Sequence, residues 1–456
     1  MINIKINNKK YTAKEGETIL DVCRRSKIRI PTLCNFDGLP KEQVCRLCLV
    51  ETNRSEKLLT SCGMKVCEGL EVRTESEKIA KARRINLELL WADHAGKCAT
   101  CKKNRQCELQ DLAEEYGIEN FHFIPRREEI TGAEELDLLL DNKKRYLVDE
   151  NNPCISKRAE FCVECRRCVS VCPTQEFGFN FRSGDVKVST PYGQPLDCIF
   201  CGKCVAVCPT ASLTEKTDEE AALKELEDLN ILSVAMIDPF LLGKFGSVFP
   251  ELDSREKFFG FLRELGFEKI FLLDPAIGEA GERLGREIEK KERKFLLGGN
   301  CPSFVLFVKK YFPELLKFIS ETNSADEIMA KWLKNDWAKK EKIDQENIRT
   351  ISITNCIAKK ALTGKELSGT LTLRELSRLA RRKKIDLGSI AKSKADKFLF
   401  SSPDDIASEK DIIRIALKGK KMKKIDTRGA KNFREVLENI QRGKIEADFY
   451  EFWSCE

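Results

Sequence analysis

The sequence predicts an α/β protein of several domains, in which small cysteine-rich modules precede a larger domain with parallel strands. At 456 residues the chain exceeds the size of a single ordinary core, so two to four domains are expected. Most of its 21 cysteines fall into four groups of fixed spacing within residues 34–208. Beyond residue 213, short apolar runs (231–237, 269–273, 350–353 and 397–400) alternate with amphipathic segments (214–229, 304–318 and 371–382), as in a parallel sheet covered by helices.

Residues 1–78 are predicted to form a [2Fe–2S] domain. Residues 2–6 alternate as Ile-Asn-Ile-Lys-Ile, Gly16 marks a turn, and Thr18 can cap a short helix. This opening resembles the β-grasp fold of plant-type ferredoxins. Four cysteines follow as a wide loop, a CxxC pair and a distant fourth, a layout that suits two ligands per iron: Cys34, Cys45, Cys48 and Cys62. Cys67 is the alternative fourth ligand, and we favour Cys62.

Residues 79–125 are predicted to form a small helical domain around a [4Fe–4S] cubane held by one histidine and three cysteines. A helix over 77–90 would deliver His94, which is followed at the spacing HxxxCxxCxxxxxC by Cys98, Cys101 and Cys107. Because the chain has only two histidines, one placed a helical turn before a CxxC pair indicates iron ligation through neutral imidazole. The alternative is a packed or exposed side chain, which is our interpretation of His122.

Residues 126–212 are predicted to comprise a charged connector and an α+β ferredoxin domain with two [4Fe–4S] clusters. Two near-identical CxxCxxCxxxCP motifs occur, at 162–173 and at 198–209. In such motifs the fourth cysteine ligates the other cluster. This predicts one set of Cys162, Cys165, Cys168 and Cys208, and a second set of Cys198, Cys201, Cys204 and Cys172. Structural zinc is the alternative, but a tetrahedral zinc site has no use for the third and fourth cysteines at these repeated spacings.

The order of these modules resembles that of [FeFe]-hydrogenases and of the large iron–sulfur subunit of respiratory complex I. The HxxxCxxCxxxxxC element is the most specific part of this resemblance. Residues 228–456 are similar to the hydrogenase catalytic domain and not to the molybdopterin-enzyme-like domain of the complex I subunit. The similar segments are SVAMIDPFLLGKFG at 233–246, LGFEKIFLLDPAIGEA at 265–280, NCPSF at 300–304, YFPELL at 311–316, NCIAKK at 355–360 and DFYEFWSCE at 448–456. The resemblance implies a degenerate hydrogenase-like α/β domain over 213–456.

This last domain departs from the hydrogenase pattern at several positions. In the family, four cysteines hold the active-site cubane and the last also bridges to the diiron centre, but the sequence has no cysteine beyond Cys455. Asn300 matches a cysteine that the family uses for proton delivery, and an amide cannot shuttle protons at neutral pH. Lys359 is retained where the family places a lysine beside the diiron ligands. We therefore expect no hydrogen chemistry at a diiron centre and assign no catalytic residue.

Three cysteines of this domain match ligand positions of the family: Cys301, Cys356 and Cys455. One interpretation is that they are relics, buried as small hydrophobic side chains in a repurposed core. The other is that they hold an additional [4Fe–4S] cluster, with Glu456 as a candidate for the fourth corner. Iron analysis distinguishes the two, because one [2Fe–2S] and three [4Fe–4S] clusters need about 14 Fe per chain and a fourth cubane raises this to about 18.

Composition argues against several other classes of protein. The sequence has no apolar run long enough to span a membrane, no apolar leader after Met1 and no lipidation motif, so a cytoplasmic protein without membrane attachment is expected. Disulfides then do not explain the cysteines, and Cys23 and Cys154 are most simply free thiols. The formal net charge is +7, but the basic stretches at 378–384 and 418–424 lack the aromatic platforms of nucleic-acid-binding proteins.

The sequence favours an electron-transfer subunit over an enzyme with its own organic cofactor. It has no GxGxxG motif after a strand, no Walker loop and no nucleophile–base pair. Iron–sulfur clusters move single electrons whereas NADH gives up a hydride, so a flavin must divide the electron pair elsewhere. The implied partners are a flavin- and NADH-binding iron–sulfur subunit, a small [2Fe–2S] subunit, and ferredoxin or a catalytic subunit, in a complex that could be electron-bifurcating. The alternatives are a catalytic [FeFe]-hydrogenase and a cluster-assembly scaffold.

Overall fold

The computed structural model of the protein describes residues 1–92, 94, 98–118, 152–158, 161–180, 187–189, 197–217, 219–290, 293–364, 366–398, 411–418 and 422–455. These residues form two compact units. The N-terminal unit comprises Met1–Asp197 and Lys203–Glu215, and the C-terminal unit comprises Cys198–Gly202 and Lys216–Glu456. His122 and nearly all of the predicted connector lie outside the described residues. In the described part of the chain, no helix combines the length and apolar character that crossing a bilayer requires.

The N-terminal unit begins with a five-stranded sheet and one short helix, and its first two strands and helix confirm the predicted opening. Its strands are β1 (Ile2–Ile6), β2 (Lys9–Ala13), β3 (Leu49–Thr52), β4 (Ser55–Thr60) and β5 (Leu70–Arg73), in the order β2-β1-β5-β3-β4. Strand β1 runs parallel to β5 and antiparallel to β2. Helix α1 (Ile19–Arg25) starts with a capping box between Thr18 and Asp21, which confirms the predicted cap. Its inner face packs on alternate residues of β1, Ile4 and Ile6.

A helical segment follows the sheet. Helix α2 (Glu77–Ala92) confirms the helix predicted over 77–90, a short 3-10 turn covers Cys98–Thr100, and helix α3 is Glu108–Glu115. Leu87 of α2 packs with Leu109 and Leu112 of α3 in a small core that also contains predicted cluster ligands. The ligand loops are therefore part of the packed interior, and are held by apolar contacts from the neighbouring helices.

The rest of the N-terminal unit consists of short elements around the ferredoxin motifs. Its strands are β6 (Ile155–Lys157), β7 (Gly178–Asn180), β8 (Lys187–Ser189) and β9 (Leu213–Glu215), and its helices are α4 (Arg167–Val171) and α5 (Lys203–Val207). The prediction of one helix over 214–229 is wrong at its start. Strand β9 pairs antiparallel with β6, because long-range backbone hydrogen bonds outweigh the local helical spacing there. The helix itself, α6, is Glu219–Glu227.

A four-stranded parallel sheet organises the C-terminal unit and confirms the predicted α/β architecture. Its strands are β10 (Leu232–Ile237), β11 (Lys269–Leu272), β13 (Ile348–Ile353) and β14 (Gly369–Leu371), in the order β11-β10-β13-β14. The helices described around it are α7 (Arg255–Leu265), α8 (Asp274–Lys290), α10 (Ala325–Trp332), α11 (Ala338–Glu341), α12 (Leu373–Arg382) and α13 (Asp411–Ala416). Separate apolar cores cover the two faces of the sheet, as expected for parallel strands.

A second parallel sheet in this unit was not anticipated. It consists of β12 (Leu296–Leu297), β15 (Lys424–Arg428) and β16 (Phe449–Trp453), in the order β12-β16-β15. Helices α9 (Pro302–Tyr311) and α14 (Phe433–Gln441) pack on one face of it. The rings of Phe304 and Phe452 stack there with centroids 4.0 Å apart. This sheet places the end of the chain beside the loop that carries Cys301.

Three predicted segments differ from the structure. The predicted helix over 304–318 ends at Tyr311, and a 3-10 segment, Pro313–Phe318, follows it. Pro313 ends the α-helix because it has no backbone N–H to donate and its ring clashes with the preceding turn. The predicted helix over 371–382 starts two residues late, since Leu371 belongs to β14. Of the strand predicted over 397–400, the first two residues lack regular structure and the last two lie outside the described residues.

Candidate metal centres

Four cysteines of the first domain are brought together as two pairs. The Sγ atoms of Cys48 and Cys62 lie 3.3 Å apart, and all four thiols are buried. A hydrogen bond with Cys34 lowers the pKa of Cys45 to about 6, and one with Cys62 lowers the pKa of Cys48 to about 7. Each pair thus stabilises one thiolate near neutral pH, which is the state that binds iron. Two pairs of sulfur ligands match the two irons of a [2Fe–2S] centre.

Cys67, the alternative fourth ligand, does not join these pairs. Its side chain is exposed, whereas Cys62 is 1% exposed and contacts Cys48. The two cysteines are only five residues apart, but Cys62 follows the end of β4 and points into the core of the sheet domain. The geometry supports Cys62.

Histidine 94 lies at the C-terminal end of α2 and is 6% exposed. Its backbone N–H donates to the carbonyl of Trp91 (2.8 Å), and its ring centroid is 5.8 Å from that of Phe161, the residue before Cys162. Cys107 is buried at the start of α3, while Cys98 and Cys101 are partly exposed. A buried imidazole at this place is consistent with the predicted ligation, because packing against Phe161 restricts the orientation of its ring.

The two ferredoxin loops share an unusual backbone conformation. In the first, Glu164 (φ 54°) and Arg166 (φ 63°) are left-handed, and in the second the equivalent residues Phe200 (φ 58°) and Gly202 (φ 73°) are too. Such angles are costly for side chains other than glycine, so the conformation indicates a functional constraint. It turns amide groups toward sulfur: the N–H of Glu164 donates to Cys162 Sγ at 3.4 Å. Hydrogen bonds to sulfur are a lever on cluster potential.

Burial raises the pKa of several ferredoxin thiols, that of Cys165 to about 12 and that of Cys168 well above its ordinary value. Buried neutral thiols of this kind become thiolates only when a metal compensates their charge. Within the described residues, no group of three or more histidine, cysteine, aspartate or glutamate side chains is close enough to hold a metal ion. Thiol sulfur and imidazole nitrogen are donors of the kind that hold iron–sulfur clusters. The predicted ligands that the structure brings into contact are the two pairs of the first domain.

Three loops that carry C-terminal cysteines are neighbours. Cys301 is 5% exposed, precedes α9, and its Sγ lies 3.7 Å from the Oγ atom of Ser454. Cys455, the next residue, is exposed. Cys356 is also exposed and precedes the 3-10 segment Ile357–Leu362, which lies against α9. Glu456, the suggested fourth ligand, lies outside the described residues.

Lys359 is fully enclosed and takes part in a buried ion pair. Its Nζ atom lies 2.6 Å from Asp326 Oδ2, and the two side chains are 4% and 0% exposed. The hydroxyl of Ser352 donates to the other oxygen of Asp326. Asp238 interacts electrostatically with both members of this pair. Burial raises the pKa of Asp238, the charge of Lys359 lowers it, and the charge of Asp326 raises it. Lys359, which matches the lysine that the hydrogenase family places beside the diiron ligands, therefore forms an ion pair with a carboxylate of this chain.

The sequence analysis did not identify the buried acids of this unit. Besides Asp326, Glu451 is 0% exposed on β16, with both carboxylate oxygens lacking a hydrogen-bond partner among the described residues. Burial raises its pKa to about 8. Its carboxylate packs against Gly298, where an added Cβ atom would meet it at 3.0 Å. The signal in the sequence was a single acid inside an aromatic run, Phe-Tyr-Glu-Phe-Trp, which is typical of a buried strand.

Comparison with known families agrees with this arrangement. The chain matches, in order, a "2Fe-2S iron-sulfur cluster binding domain" over residues 1–77, the "NADH-ubiquinone oxidoreductase-G iron-sulfur binding region" over 83–122 and a "4Fe-4S dicluster domain" over 161–212. Residues 232–408 match "Iron only hydrogenase large subunit, C-terminal domain". This range includes Cys301 and Cys356 but ends before Cys455.

Similar proteins include hydrogenase and complex I subunits. NADP-reducing hydrogenase subunit HndD of Solidesulfovibrio fructosivorans is 29% identical over 425 residues, 86% of this chain and 70% of that protein. Iron hydrogenase 1 of Clostridium pasteurianum is 27% identical over 421 residues, 87% of this chain and 70% of that protein. The NADH-ubiquinone oxidoreductase 75 kDa subunit of Reclinomonas americana is 30% identical over 195 residues, 42% of this chain and 26% of that protein.

Solved structures give weaker similarities. An NAD+-reducing [NiFe]-hydrogenase in the H2-reduced state is 23% identical with a TM-score of 0.41, covering 48% of this chain and 88% of that one. An [FeFe]-hydrogenase studied for oxygen inactivation is 16% identical with a TM-score of 0.45, covering 52% and 81%. The family matches confirm the predicted resemblance: a hydrogenase-like C-terminal domain preceded by iron–sulfur domains like those of complex I.

Proposed function

We propose that this chain is the iron–sulfur electron-transfer subunit of a cytoplasmic, multi-subunit, NAD(P)H-linked oxidoreductase. The observation that carries the proposal is the succession of three iron–sulfur domain families in one chain, ahead of a hydrogenase-like domain. A protein that held clusters only to deliver them elsewhere would gain nothing from several different ligand sets in series. Ligand sets of different type give different potentials, which a relay requires.

The described cysteines support the ligand sets of the four N-terminal clusters. A [2Fe–2S] centre would use Cys34, Cys45, Cys48 and Cys62. The first cubane would use His94, Cys98, Cys101 and Cys107, and the ferredoxin cubanes the two cross-ligated sets. When bound, each cluster takes up and releases one electron. The protein's own contribution is to bury the ligands, direct amide N–H groups at sulfur and fix the spacing of the loops.

A further [4Fe–4S] cluster would use Cys301, Cys356 and Cys455. Support comes from the proximity of Cys301 to Ser454 and from the packing of α9 against the segment that follows Cys356. Within the C-terminal unit, Ile199 and Cys201 of the second ferredoxin motif pack into the same core as Cys301. In the proposed relay, a cluster here would be the next electron carrier after the ferredoxin clusters.

Hydrogen turnover is the second candidate function, favoured by the relatives named as hydrogenases. Two residues argue against it. Asn300 cannot transfer protons at the position where the family has a cysteine, and it is almost fully buried. Lys359 is held by Asp326 at 2.6 Å, which leaves its charge neutralised by the protein. We therefore assign the C-terminal domain to electron transfer and not to hydrogen chemistry.

Electrons would enter or leave through partner subunits. NADH gives up a hydride and clusters accept single electrons, so a flavin- and NADH-binding iron–sulfur subunit must divide the pair. A small [2Fe–2S] subunit and a ferredoxin or separate catalytic subunit complete the proposed set. The names of two relatives, an NADP-reducing hydrogenase subunit and a NADH-ubiquinone oxidoreductase subunit, support partners of this kind.

The test is reduction of the clusters by NADH in the anaerobically purified complex. We expect bleaching of the iron–sulfur absorbance within one turnover when the flavoprotein partner is present, and none when it is omitted. Hydrogen evolution by the chain after treatment with diiron maturation factors would overturn the proposal in favour of a hydrogenase. Transfer of the clusters to apo-ferredoxin without NADH-driven reduction would instead identify a scaffold, and a colourless or zinc-loaded protein would exclude both.

A further inference from the structure

Arg167 is a buried arginine at the start of α4, between the second and third cysteines of the first ferredoxin motif. Its side chain is 2% exposed. Its guanidinium group forms a bidentate ion pair with Glu108, in which Nη1 lies 2.7 Å from Oε1 and Nη2 lies 2.7 Å from Oε2. The guanidinium carbon is also 5.5 Å from the ring centroid of Phe36. These contacts fix the plane of the guanidinium group.

The same guanidinium group binds two backbone carbonyls from distant parts of the chain. Nη2 donates to the carbonyl of Asn35 at 3.2 Å, and Nη1 donates to that of Val207 at 3.2 Å. Asn35 and Arg167 are 132 residues apart in sequence. All of these residues belong to the N-terminal unit. One side chain therefore connects three separate segments of that unit: the stretch at Asn35, the start of α3 and the end of α5.

Every residue that Arg167 binds by a hydrogen bond is next to a predicted cluster ligand. Asn35 follows Cys34 of the [2Fe–2S] set, Glu108 follows Cys107 of the histidine-containing set, and Val207 precedes Cys208, which together with Cys168 belongs to one ferredoxin set. The carboxylate of Glu108 is 47% exposed and so balances the buried cation only in part. A buried ion pair of this kind is weak evidence for stability, and its position calls for another explanation.

We propose that Arg167 is a positioning residue that fixes the ligand loops of three clusters relative to one another and favours their reduced states through its charge. The proposal rests on the proposed function, because it requires the clusters to be present. In each transfer past Arg167, one electron leaves a reduced cluster, which is oxidised, and enters its oxidised neighbour, which is reduced. No bond is formed or broken, and no proton moves.

The chemistry of the guanidinium group accounts for both roles. Its planar, five-donor fork can bind a carboxylate and two carbonyls at once, which a lysine cannot do. A reduced cluster carries one more negative charge than an oxidised one, so a buried cation nearby makes reduction more favourable. The thiols of Cys34 and Cys165 lie within the electrostatic reach of Arg167. Glu108 acts in the opposite direction, because its carboxylate offsets the cation.

The experiment measures cluster potentials and magnetic coupling by EPR-monitored redox titration of the holoprotein. Arg167→Gln removes the charge and the fork, and we expect at least a tenfold shift of the reduction equilibrium of a neighbouring cluster toward its oxidised state, about 59 mV lower in potential. Glu108→Gln should shift the potentials in the opposite direction. Arg167→Lys keeps the charge and loses the fork, so it should alter the spin coupling between clusters more than their potentials.

Arg378→Gln serves as the matched control. It removes a partly buried arginine that pairs with Glu219 and that is not adjacent to a predicted ligand, so the potentials should not change. Iron content and NADH-driven bleaching are measured on each variant. Unchanged potentials and coupling in an iron-replete Arg167→Gln protein would overturn the proposal, as would shifts of the same sign in Arg167→Gln and Glu108→Gln. If Arg167→Gln loses iron, the potentials and spin coupling of Glu108→Gln and Arg167→Lys test the proposal instead. Unchanged potentials and coupling in both variants would overturn it.

This design separates the two proposals. If wild-type protein holds its clusters but NADH and the flavoprotein do not reduce them, the proposed function fails. The role of Arg167 can then still be measured with dithionite as the reductant. If NADH reduces the wild-type clusters and the Arg167 variants show no change in potential or coupling, only the inference about Arg167 fails.

Discussion

The Sγ atoms of Cys48 and Cys62 lie 3.3 Å apart in the interior of the first domain. The two residues are separated by 14 positions, and the second of them follows strand β4. This contact favours Cys62 over the exposed Cys67 as the proposed fourth [2Fe–2S] ligand. It also gives a direct test by substitution.

Cys62→Ala should abolish the [2Fe–2S] centre, because it removes one of the two cysteine ligands of one iron. Cys67→Ala is the matched control, and it should retain the centre since the Cys67 thiol is exposed. The measurements are iron content, with a loss of about 2 Fe expected for Cys62→Ala alone, and the [2Fe–2S] EPR signal. Loss of the signal in Cys67→Ala but not in Cys62→Ala would assign the ligand to Cys67.

His94→Cys should lower the potential of the first cubane. The substitution replaces a neutral ligand with a thiolate, which adds one negative charge and makes further reduction less favourable. EPR-monitored titration of the variant measures the shift. His122→Ala, at the chain's other histidine, should leave that potential unchanged. An unaltered potential in His94→Cys would mean that His94 is not a ligand.

Cys301→Ala should lower the iron content from about 18 to about 14 Fe per chain, if the three C-terminal cysteines hold a cubane as proposed. Cys23→Ala is the control, since Cys23 is buried in the core of the first domain and not in the C-terminal core that contains Cys301. Iron analysis and Mössbauer spectroscopy give the counts. A wild-type content of about 14 Fe, unchanged by Cys301→Ala, would identify the three cysteines as relics.

Asp326→Ala should destabilise the C-terminal unit by about 3 to 5 kcal/mol, because it leaves the buried Lys359 cation without its counter-charge. The double variant Asp326→Ala/Lys359→Met should be less destabilised than the single one, since it removes both charges. Asp253→Ala breaks a pair between Lys257 and an exposed carboxylate, and should leave stability nearly unchanged because solvent screens such a pair. Denaturant unfolding of the full chain measures all three. Equal losses for the single and double variants would contradict the prediction.

Glu451→Gln should make stability less dependent on pH. Burial raises the pKa of Glu451 from 4.5 to about 8 in the folded chain. Below pH 4.5 Glu451 is protonated in both the folded and the unfolded chain, so it does not make the free energy of unfolding depend on pH. Between pH 4.5 and 8 the unfolded chain loses the proton while the folded chain keeps it, so the wild type becomes less stable as pH rises, and the loss is complete above pH 8.

The measurement is the thermal midpoint of the full chain at several pH values. As pH rises from 5 toward 8, the thermal midpoint of Glu451→Gln should increase relative to that of the wild type. The difference should correspond to a few kcal/mol in the free energy of unfolding. Glu435→Gln changes an exposed carboxylate on helix α14, and its difference from the wild type should not grow with pH. A constant difference between Glu451→Gln and the wild type would show that the buried carboxylate does not govern the pH dependence.

The elements that were predicted correctly are those defined by local patterns. The alternation of residues 2–6 predicted β1, the cap at Thr18 predicted α1, and apolar runs predicted the strands β10, β11 and β13. The incorrect or missing predictions concern segments whose structure depends on contacts with residues distant in sequence. Leu213–Glu215 is a strand because β6 pairs with it, and the second parallel sheet depends on segments such as Leu296–Leu297 that are too short to carry a periodic signal.

The sequence by itself determined which side chains are candidates for binding iron, because CxxC spacing and the distance from a histidine to a cysteine pair are properties of one short stretch of chain. The folded structure was needed to place Cys62, and not Cys67, against Cys48, to pair Lys359 with Asp326, to bury Glu451 and to link three segments next to predicted ligands through Arg167. These relationships connect residues far apart in sequence. Burial and charge pairing depend on what surrounds a side chain in space, and no local pattern contains that information.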